Sequence, residues 1–131
     1  MRTPEARLRA WLRGTGAIYA LGAVDFVARP KAATASLSHY GGDEIEPEEP
    51  PGLYNSLAAA YMATIAALAL SAAQDPGERR ALIPPLLVAK GVSSGLMLYR
   101  FTQTRKKGFA LGAALDAFLF GVTAGLYSAL D

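Results

Sequence analysis

The feature that most constrains this chain is a stretch without charged side chains, which lies between Glu49 and Asp75. Its central part, 53–73, is almost wholly apolar. A helix of that length rises about 31 Å, which matches the hydrocarbon core of a bilayer. A helix on the surface of a soluble protein needs one polar side for water, and this stretch has none. It therefore predicts a helix that crosses a membrane.

Three further apolar stretches approach the same length, so we expect a single domain, 1–131, that is an all-α integral membrane protein. The predicted fold is a compact bundle of four transmembrane helices. Their expected bounds are 10–28, 53–73, 76–100 and 108–130. A soluble bundle with buried helices is the alternative, but it would carry charges at helical spacing along every helix.

A capping pattern places the start of the third predicted helix. Asp75 suits the N-cap position, Pro76 suits the first helical position, and Glu78 completes a capping box. A helix that begins at Pro76 contains Pro84 and Pro85 in its interior. Because an interior proline removes a backbone hydrogen bond, a kink is expected there.

The longest connection, 29–52, is predicted to be an acidic, proline-rich loop. Its second half has a composition that resists compact structure. The residues responsible are Asp43, Glu44, Glu46, Pro47, Glu48, Glu49, Pro50 and Pro51. His39, the single histidine, precedes these acids, but one imidazole in such a loop is a weak metal ligand, and no metal site is assigned. The chain has no cysteine, which excludes disulfides and thiolate chemistry.

Small residues are expected to bring the helices together, since membrane helices gain little from apolar contact with each other. The candidate packing residues form three Gly-xxx-Gly pairs, Gly91–Gly95, Gly108–Gly112 and Gly121–Gly125. The last pair lies on the opposite side of its helix from Asp116, at about 140–180°. We therefore predict that one face of this helix serves the bundle interior and that the other contacts a second protein.

Three of the predicted spans contain an ionisable side chain well inside the apolar stretch. At 1.5 Å per residue from one membrane surface, Lys90 lies about 16 Å deep and Asp116 about 13 Å deep. Opposite charges at one depth are expected to face inward and pair, because an unpaired charge there is costly. Tyr61, which lies at a similar depth, Ser94 or Tyr19 is expected beside this pair.

A second pair is predicted nearer the surface, between Asp25 and Arg100, at the level of Asn55. The predicted intramembrane polar cluster therefore comprises Asp25, Lys90, Asp116, Tyr61, Arg100 and Asn55. Two interpretations stay open for the deep pair. It is either a salt bridge that fixes the helix register or part of a proton relay or ligand pocket.

No constellation of residues in the sequence indicates a reaction, so no catalytic residue and no cofactor are predicted. The leading hypothesis is a non-catalytic accessory or structural subunit that packs against a larger membrane protein complex. One alternative is a small proton-coupled or small-molecule transporter that acts as an oligomer. Another is a quinone- or lipid-handling membrane oxidoreductase subunit. The expected partners are the lipid bilayer and other membrane subunits, and the scattered basic residues do not form a nucleic-acid surface.

Membrane orientation does not follow from the charges, because lysine and arginine are equally numerous on the two predicted sides. The basic first helix slightly favours a cytoplasmic N-terminus. The size and four-helix layout resemble those of several small bacterial membrane families, among them the DoxX-like group. No motif supports the transfer of any residue role. The expected location is a multi-pass position in a bacterial inner membrane.

Overall fold

A computed structural model describes residues 2–41 and 52–131 of the chain, and this part is all-helical, with no strand. The elements are α1 (Pro4–Ala28), α2 (Pro30–Gly41), α3 (Leu53–Ala72), a 3₁₀ turn (Arg80–Leu82), α4 (Ile83–Thr104) and α5 (Lys107–Ser128). The all-α class predicted from the sequence is therefore confirmed.

Helix α1 begins earlier than predicted and ends where expected. Thr3 caps it, since its hydroxyl accepts the backbone N–H of Ala6 at 3.2 Å, and Pro4 occupies the first helical position. At the other end, Arg29 precedes a proline and leaves the helical region, as such residues tend to do. The capping signal at Thr3 extends α1 by almost two turns beyond its apolar part.

Helix α2 corrects the prediction that 29–52 is a loop. The segment Pro30–Gly41 is helical because proline starts it and alanines, the strongest helix formers, follow at positions 32, 33 and 35. Thr34 donates its hydroxyl hydrogen bond to the carbonyl of Pro30 at 2.9 Å, and Ala33 is buried. The acidic half of the predicted loop, 42–51, lies outside the described residues.

The third predicted helix begins at Ile83 rather than at Pro76. Asp75 does act as a cap, accepting the N–H of Glu78 at 3.0 Å, but the chain then forms turns and a 3₁₀ segment. The prolines at 84 and 85 therefore lie in the first turn of α4. Backbone N–H groups in a first turn have no hydrogen-bond partner within the helix, so a proline removes no hydrogen bond there. The predicted start at Pro76 is therefore wrong, and so is the interior position of the two prolines from which a kink was expected.

The four long helices pack with each neighbour antiparallel. α1 lies mainly against α3 and α4 mainly against α5, while contacts between α1 and α5 and between α3 and α4 complete the arrangement. α2 packs on α1 and α5. The short connections after α3 and α4 favour these antiparallel neighbours, since they leave too little chain for a crossover.

α1 packs against α3 through glycines that the Gly-xxx-Gly pattern does not include. A Cβ atom at Gly16 would lie 2.6 Å from Cγ of Leu70, and one at Gly22 would lie 2.9 Å from Sδ of Met62. The contact at Gly16 is the more restrictive, because the backbone nitrogen of Leu70 also lies 3.3 Å from that Cβ position, whereas the flexible side chain of Met62 can move away from Gly22.

The predicted packing glycines behave differently from one another. A Cβ at Gly91 would meet the ring of Phe120 at 3.4 Å, and one at Gly112 would collide with Met97. Gly108 lies in the first turn of α5. The three others face open space: Gly95, Gly121 and Gly125. Packing through complete Gly-xxx-Gly pairs is therefore not confirmed.

The buried apolar core lies at one end of the structure, near the connection between α3 and α4. It consists of Leu8, Leu12, Ile65, Ala69, Ala72, Ala73, Ile83 and Leu86. The buried residues of α1 all belong to its first half, between Leu8 and Gly16. The half of the structure beyond them is packed less tightly.

Three helices of the described chain are long and apolar enough to cross a membrane. The candidate spans are Asn55–Ala72, Arg80–Thr104 and Lys107–Ser128. Most residues of these spans lie at the protein surface rather than in its interior. An apolar exterior of this extent suits a lipid environment and is unusual for a soluble protein.

Trp11 links α1 to α5 through its ring nitrogen. The Nε1–H donates to the hydroxyl of Thr123 at 2.9 Å, and the ring meets Phe118 edge to face, with centroids 5.9 Å apart. Trp11→Phe keeps the aromatic contact and removes the hydrogen bond. We expect the free energy of unfolding to fall by about 1 kcal/mol, measured by denaturation in mild detergent.

The control for this prediction is the same substitution in a Thr123→Val background. With no hydroxyl to lose, Trp11→Phe should then cost much less. An equal loss in both backgrounds would contradict the hydrogen bond between Trp11 and Thr123 as the source of the effect.

Candidate functional site

The predicted deep ion pair forms between α4 and α5. Nζ of Lys90 lies 3.1 Å from Oδ1 of Asp116, and the two side chains are only 4% and 10% exposed. The two helices run antiparallel, so residues at equal depth face each other across their interface. Depth along the helix axis was therefore enough to predict the pair.

Tyr19 of α1 joins the pair through its hydroxyl group. Nζ of Lys90 donates to this oxygen, which lies 3.5 Å from Oδ1 of Asp116, close enough for a weak hydrogen bond to the carboxylate. The ammonium also lies 4.1 Å from the centroid of the tyrosine ring. The sequence predicts Tyr19, Tyr61 or Ser94 near the pair, and Tyr19 makes the most direct contact.

Tyr61 of α3 completes the group from the fourth side. The ammonium of Lys90 lies 5.1 Å from the centroid of its ring, within the range of a cation–π contact. Its hydroxyl donates to the carbonyl oxygen of Ala89 at 3.4 Å. Each of the four long helices thus supplies one side chain to a polar cluster, which consists of Tyr19, Tyr61, Lys90 and Asp116.

The charges in the polar cluster compensate one another. Burying an ammonium or a carboxylate alone is expensive, and a close pair with additional hydrogen bonds offsets much of that cost. The ammonium of Lys90 has a carboxylate, a phenol oxygen and two ring faces around it. The cluster therefore couples the positions of all four helices, since displacing any one of them removes a partner of Lys90.

The second predicted pair is wrong. Asp25 bonds to Arg29 instead of Arg100, with Nε of Arg29 2.8 Å from Oδ1. Arg29 lies one helical turn away on the same face, whereas Arg100 would have to reach across from α4. Arg100 is exposed, and Asn55 lies in the first turn of α3.

Ser94 lies one turn from Lys90 but serves a different contact. Its hydroxyl donates to the carbonyl oxygen of Ala113 at 2.8 Å and so joins α4 to α5 beside the cluster.

The side chain of His39 and the acidic residues 43–49 lie outside the described part of the chain, and the weak metal candidate there stays a prediction.

Tyr61 connects the polar cluster to the protein surface. It is 36% exposed and borders an open groove of about 440 Å³ between α3 and α4. The groove is lined by Tyr61, Val88, Ala89, Val92, Ser93 and Leu96. Its lining is almost entirely apolar, so the groove faces the region that lipid would occupy around the spans.

The arrangement is compatible with two roles. A closed ion pair with tyrosine partners can hold helices in register, and a phenol between an ammonium and a carboxylate can also pass a proton. The choice between these roles rests on geometry alone. Comparisons of the chain with known protein families, with curated proteins and with solved structures found no match.

Proposed function

We propose that the four long helices all cross a bilayer as a compact bundle and that the protein is a non-catalytic accessory subunit of a larger membrane assembly. α1 is the one long helix of the described chain that length and composition do not identify as a candidate membrane span. It exposes a stripe of large apolar side chains, Ile18, Leu21, Val24 and Val27, which are between 64% and 74% exposed. Such a stripe suits contact with lipid.

The observation that carries the accessory role is the outward face of α5. Among the residues that the structure describes, none has an atom within 4 Å of the Cβ positions of Gly121 and Gly125. Ala114 and Ala117 continue this smooth surface, and Phe118 flanks it. Because small residues let the backbones of membrane helices approach closely, this face suits a helix of another subunit.

The polar cluster supports the same role by making the four helices a single rigid body. Asp116 faces inward from α5, so the contacts that hold the bundle together use the side opposite Gly125. The outward face of α5 therefore remains available for a partner without any change in the internal packing.

The test is the combined substitution Gly121→Leu and Gly125→Leu. We expect the variant to fold, since the space at both sites is open, and to lose the companion chains that wild-type protein carries. Companions are measured by native mass spectrometry after mild extraction from the native host. The stability of the isolated chain should not fall, because leucine has a higher helix propensity than glycine.

Gly95→Leu is the matched control, since Gly95 also faces open space but lies on α4. It should leave the companions in place. A wild-type protein that extracts without companions would contradict the accessory role, as would companions that survive the change on α5.

A transporter, or a quinone- or lipid-handling subunit, is the second candidate, and the position of Tyr61 favours it. This residue alone in the polar cluster is more than a third exposed, and it separates Lys90 from the groove between α3 and α4. A carrier role requires the charges themselves. The variant Lys90→Met with Asp116→Leu should therefore abolish transport or redox activity with assembly intact if this candidate is right.

A further inference from the structure

The turn between α4 and α5 concentrates positive charge. Four basic side chains lie there, all exposed: Arg100, Arg105, Lys106 and Lys107. These four side chains are the turn cations. No aspartate or glutamate occurs between Glu78 and Asp116, so neither α4 nor the start of α5 supplies a compensating charge.

The backbone of the turn groups these cations. Arg105 adopts a left-handed conformation, with φ of 57°, and its N–H bonds to the carbonyl oxygen of Phe101 at 2.8 Å, which ends α4. α5 then begins at Lys107 with no acidic residue in its first turn. The positive end of the α5 dipole therefore adds to the charge of the side chains.

Exposed apolar side chains border the turn cations on both helices. Leu96 and Tyr99 lie on the outside of α4, and Leu111 lies on the outside of α5. On the proposed membrane arrangement, these residues face acyl chains, and the turn lies where hydrocarbon gives way to headgroups. Positive charge beside apolar side chains at this level suits an amphipathic anion.

We propose that the turn cations bind the headgroups of anionic phospholipids, an inference that rests on the proposed membrane insertion but not on the accessory role. Guanidinium and ammonium groups donate charge-assisted hydrogen bonds to phosphate oxygens. Each basic residue near an anionic membrane surface strengthens binding roughly fivefold.

The opposite end of the molecule uses several of its basic residues internally. Arg9 pairs with Glu5 at 2.8 Å, and Arg80 pairs with Asp131 at 2.9 Å. Arg79 donates to the carbonyl oxygen of Ser71. Lysine and arginine are equally numerous at the two ends, but the turn cations are closer together, and the acidic residue of their own hairpin, Asp116, is paired with Lys90 in the interior.

The experiment compares two triple variants of the full chain. Arg105→Gln, Lys106→Gln and Lys107→Gln remove three of the four turn cations. Arg2→Gln, Arg7→Gln and Arg13→Gln remove the same charge from exposed positions at the other end. Each protein is placed in nanodiscs with equal amounts of phosphatidylglycerol and phosphatidylcholine, and the retained lipids are identified by native mass spectrometry.

Wild-type protein should retain phosphatidylglycerol in preference to phosphatidylcholine. The turn variant should lose at least about tenfold of that preference, whereas the control variant should keep most of it. No preference in the wild type, or equal loss in both variants, would overturn the proposal. Displacement of the lipid by excess inorganic phosphate would assign the surface to free phosphate instead.

The acidic residues of 43–49 are a competing source of negative charge within the chain. A preference for phosphatidylglycerol that is absent from the wild-type protein and appears only in the variant Glu46→Gln, Glu48→Gln and Glu49→Gln would show that these acids pair with the turn cations instead of lipid, and would overturn the proposal. Unchanged retention supports it. A failure of membrane insertion is separable, because the protein would then not enter nanodiscs, and the accessory role is separable because the chain is tested alone.

Discussion

Lys90→Met is expected to lower the free energy of unfolding by about 3–5 kcal/mol, the usual cost of removing one partner of a buried ion pair. The substitution keeps the length and apolar stem of the side chain but leaves the carboxylate of Asp116 without its cation. Tyr19 offers that carboxylate only a long contact of 3.5 Å. The loss is measured by denaturation of the purified chain in mild detergent.

The matched variant is Lys90→Met combined with Asp116→Leu, which removes both charges together. It should recover most of the lost stability, since apolar residues of similar volume replace a buried pair at little cost. A double variant as unstable as the single one would show that the pair itself, rather than the unpaired charge, stabilises the fold. An unaffected single variant would contradict the burial of the cluster.

Gly16→Leu is expected to destabilise the contact between α1 and α3 by about 1–3 kcal/mol or more, as overpacking usually does. A Cβ at this position would lie 2.6 Å from Cγ of Leu70 and 3.3 Å from its backbone nitrogen. The Leu70 side chain can move, but the backbone of α3 cannot without separating the two helices. The same denaturation measurement reports the effect.

Gly14→Leu is the control, because Gly14 lies on the same helix with nothing within 4 Å of its Cβ position. It should leave stability unchanged or raise it slightly through helix propensity. Leu70→Ala should partly rescue Gly16→Leu by vacating the space. Equal losses at the two glycines would show that the helix, rather than its contact with α3, is the source of the effect.

The properties predicted well from the sequence depend on regular repetition. The length of α3 follows from the hydrophobic stretch, and the pairing of Lys90 with Asp116 follows from a constant rise per residue. The same calculation places Tyr19 about 14 Å from the end of α1, which agrees with the depths of Lys90 and Asp116. Depth is informative whenever antiparallel helices pack side by side.

The properties predicted poorly depend on competition between local alternatives. Asp25 and Arg100 were expected at similar depths in the membrane, but Asp25 pairs with Arg29, which lies one turn away at the end of the same helix. Asp75 signals a helix start, yet the turn that it caps leads to a 3₁₀ segment first. Gly16 was not predicted as a packing residue because it faces a leucine rather than another small residue. A contact of this kind produces no recognisable spacing of small residues in the sequence.

The core near the connection between α3 and α4 also has a mechanical consequence. α1 is held firmly up to Gly16, and from there it runs to Ala28, a distance of about 18 Å. This second half contains no fully buried residue, but Tyr19 contacts Lys90 and Gly22 packs against Met62. Each degree of tilt at the packed end displaces the far end by about 0.3 Å over that length. A tilt around Leu8 and Leu12 therefore reaches the end of the molecule where α2 lies only if it also moves Tyr19 in the polar cluster and Gly22 against Met62.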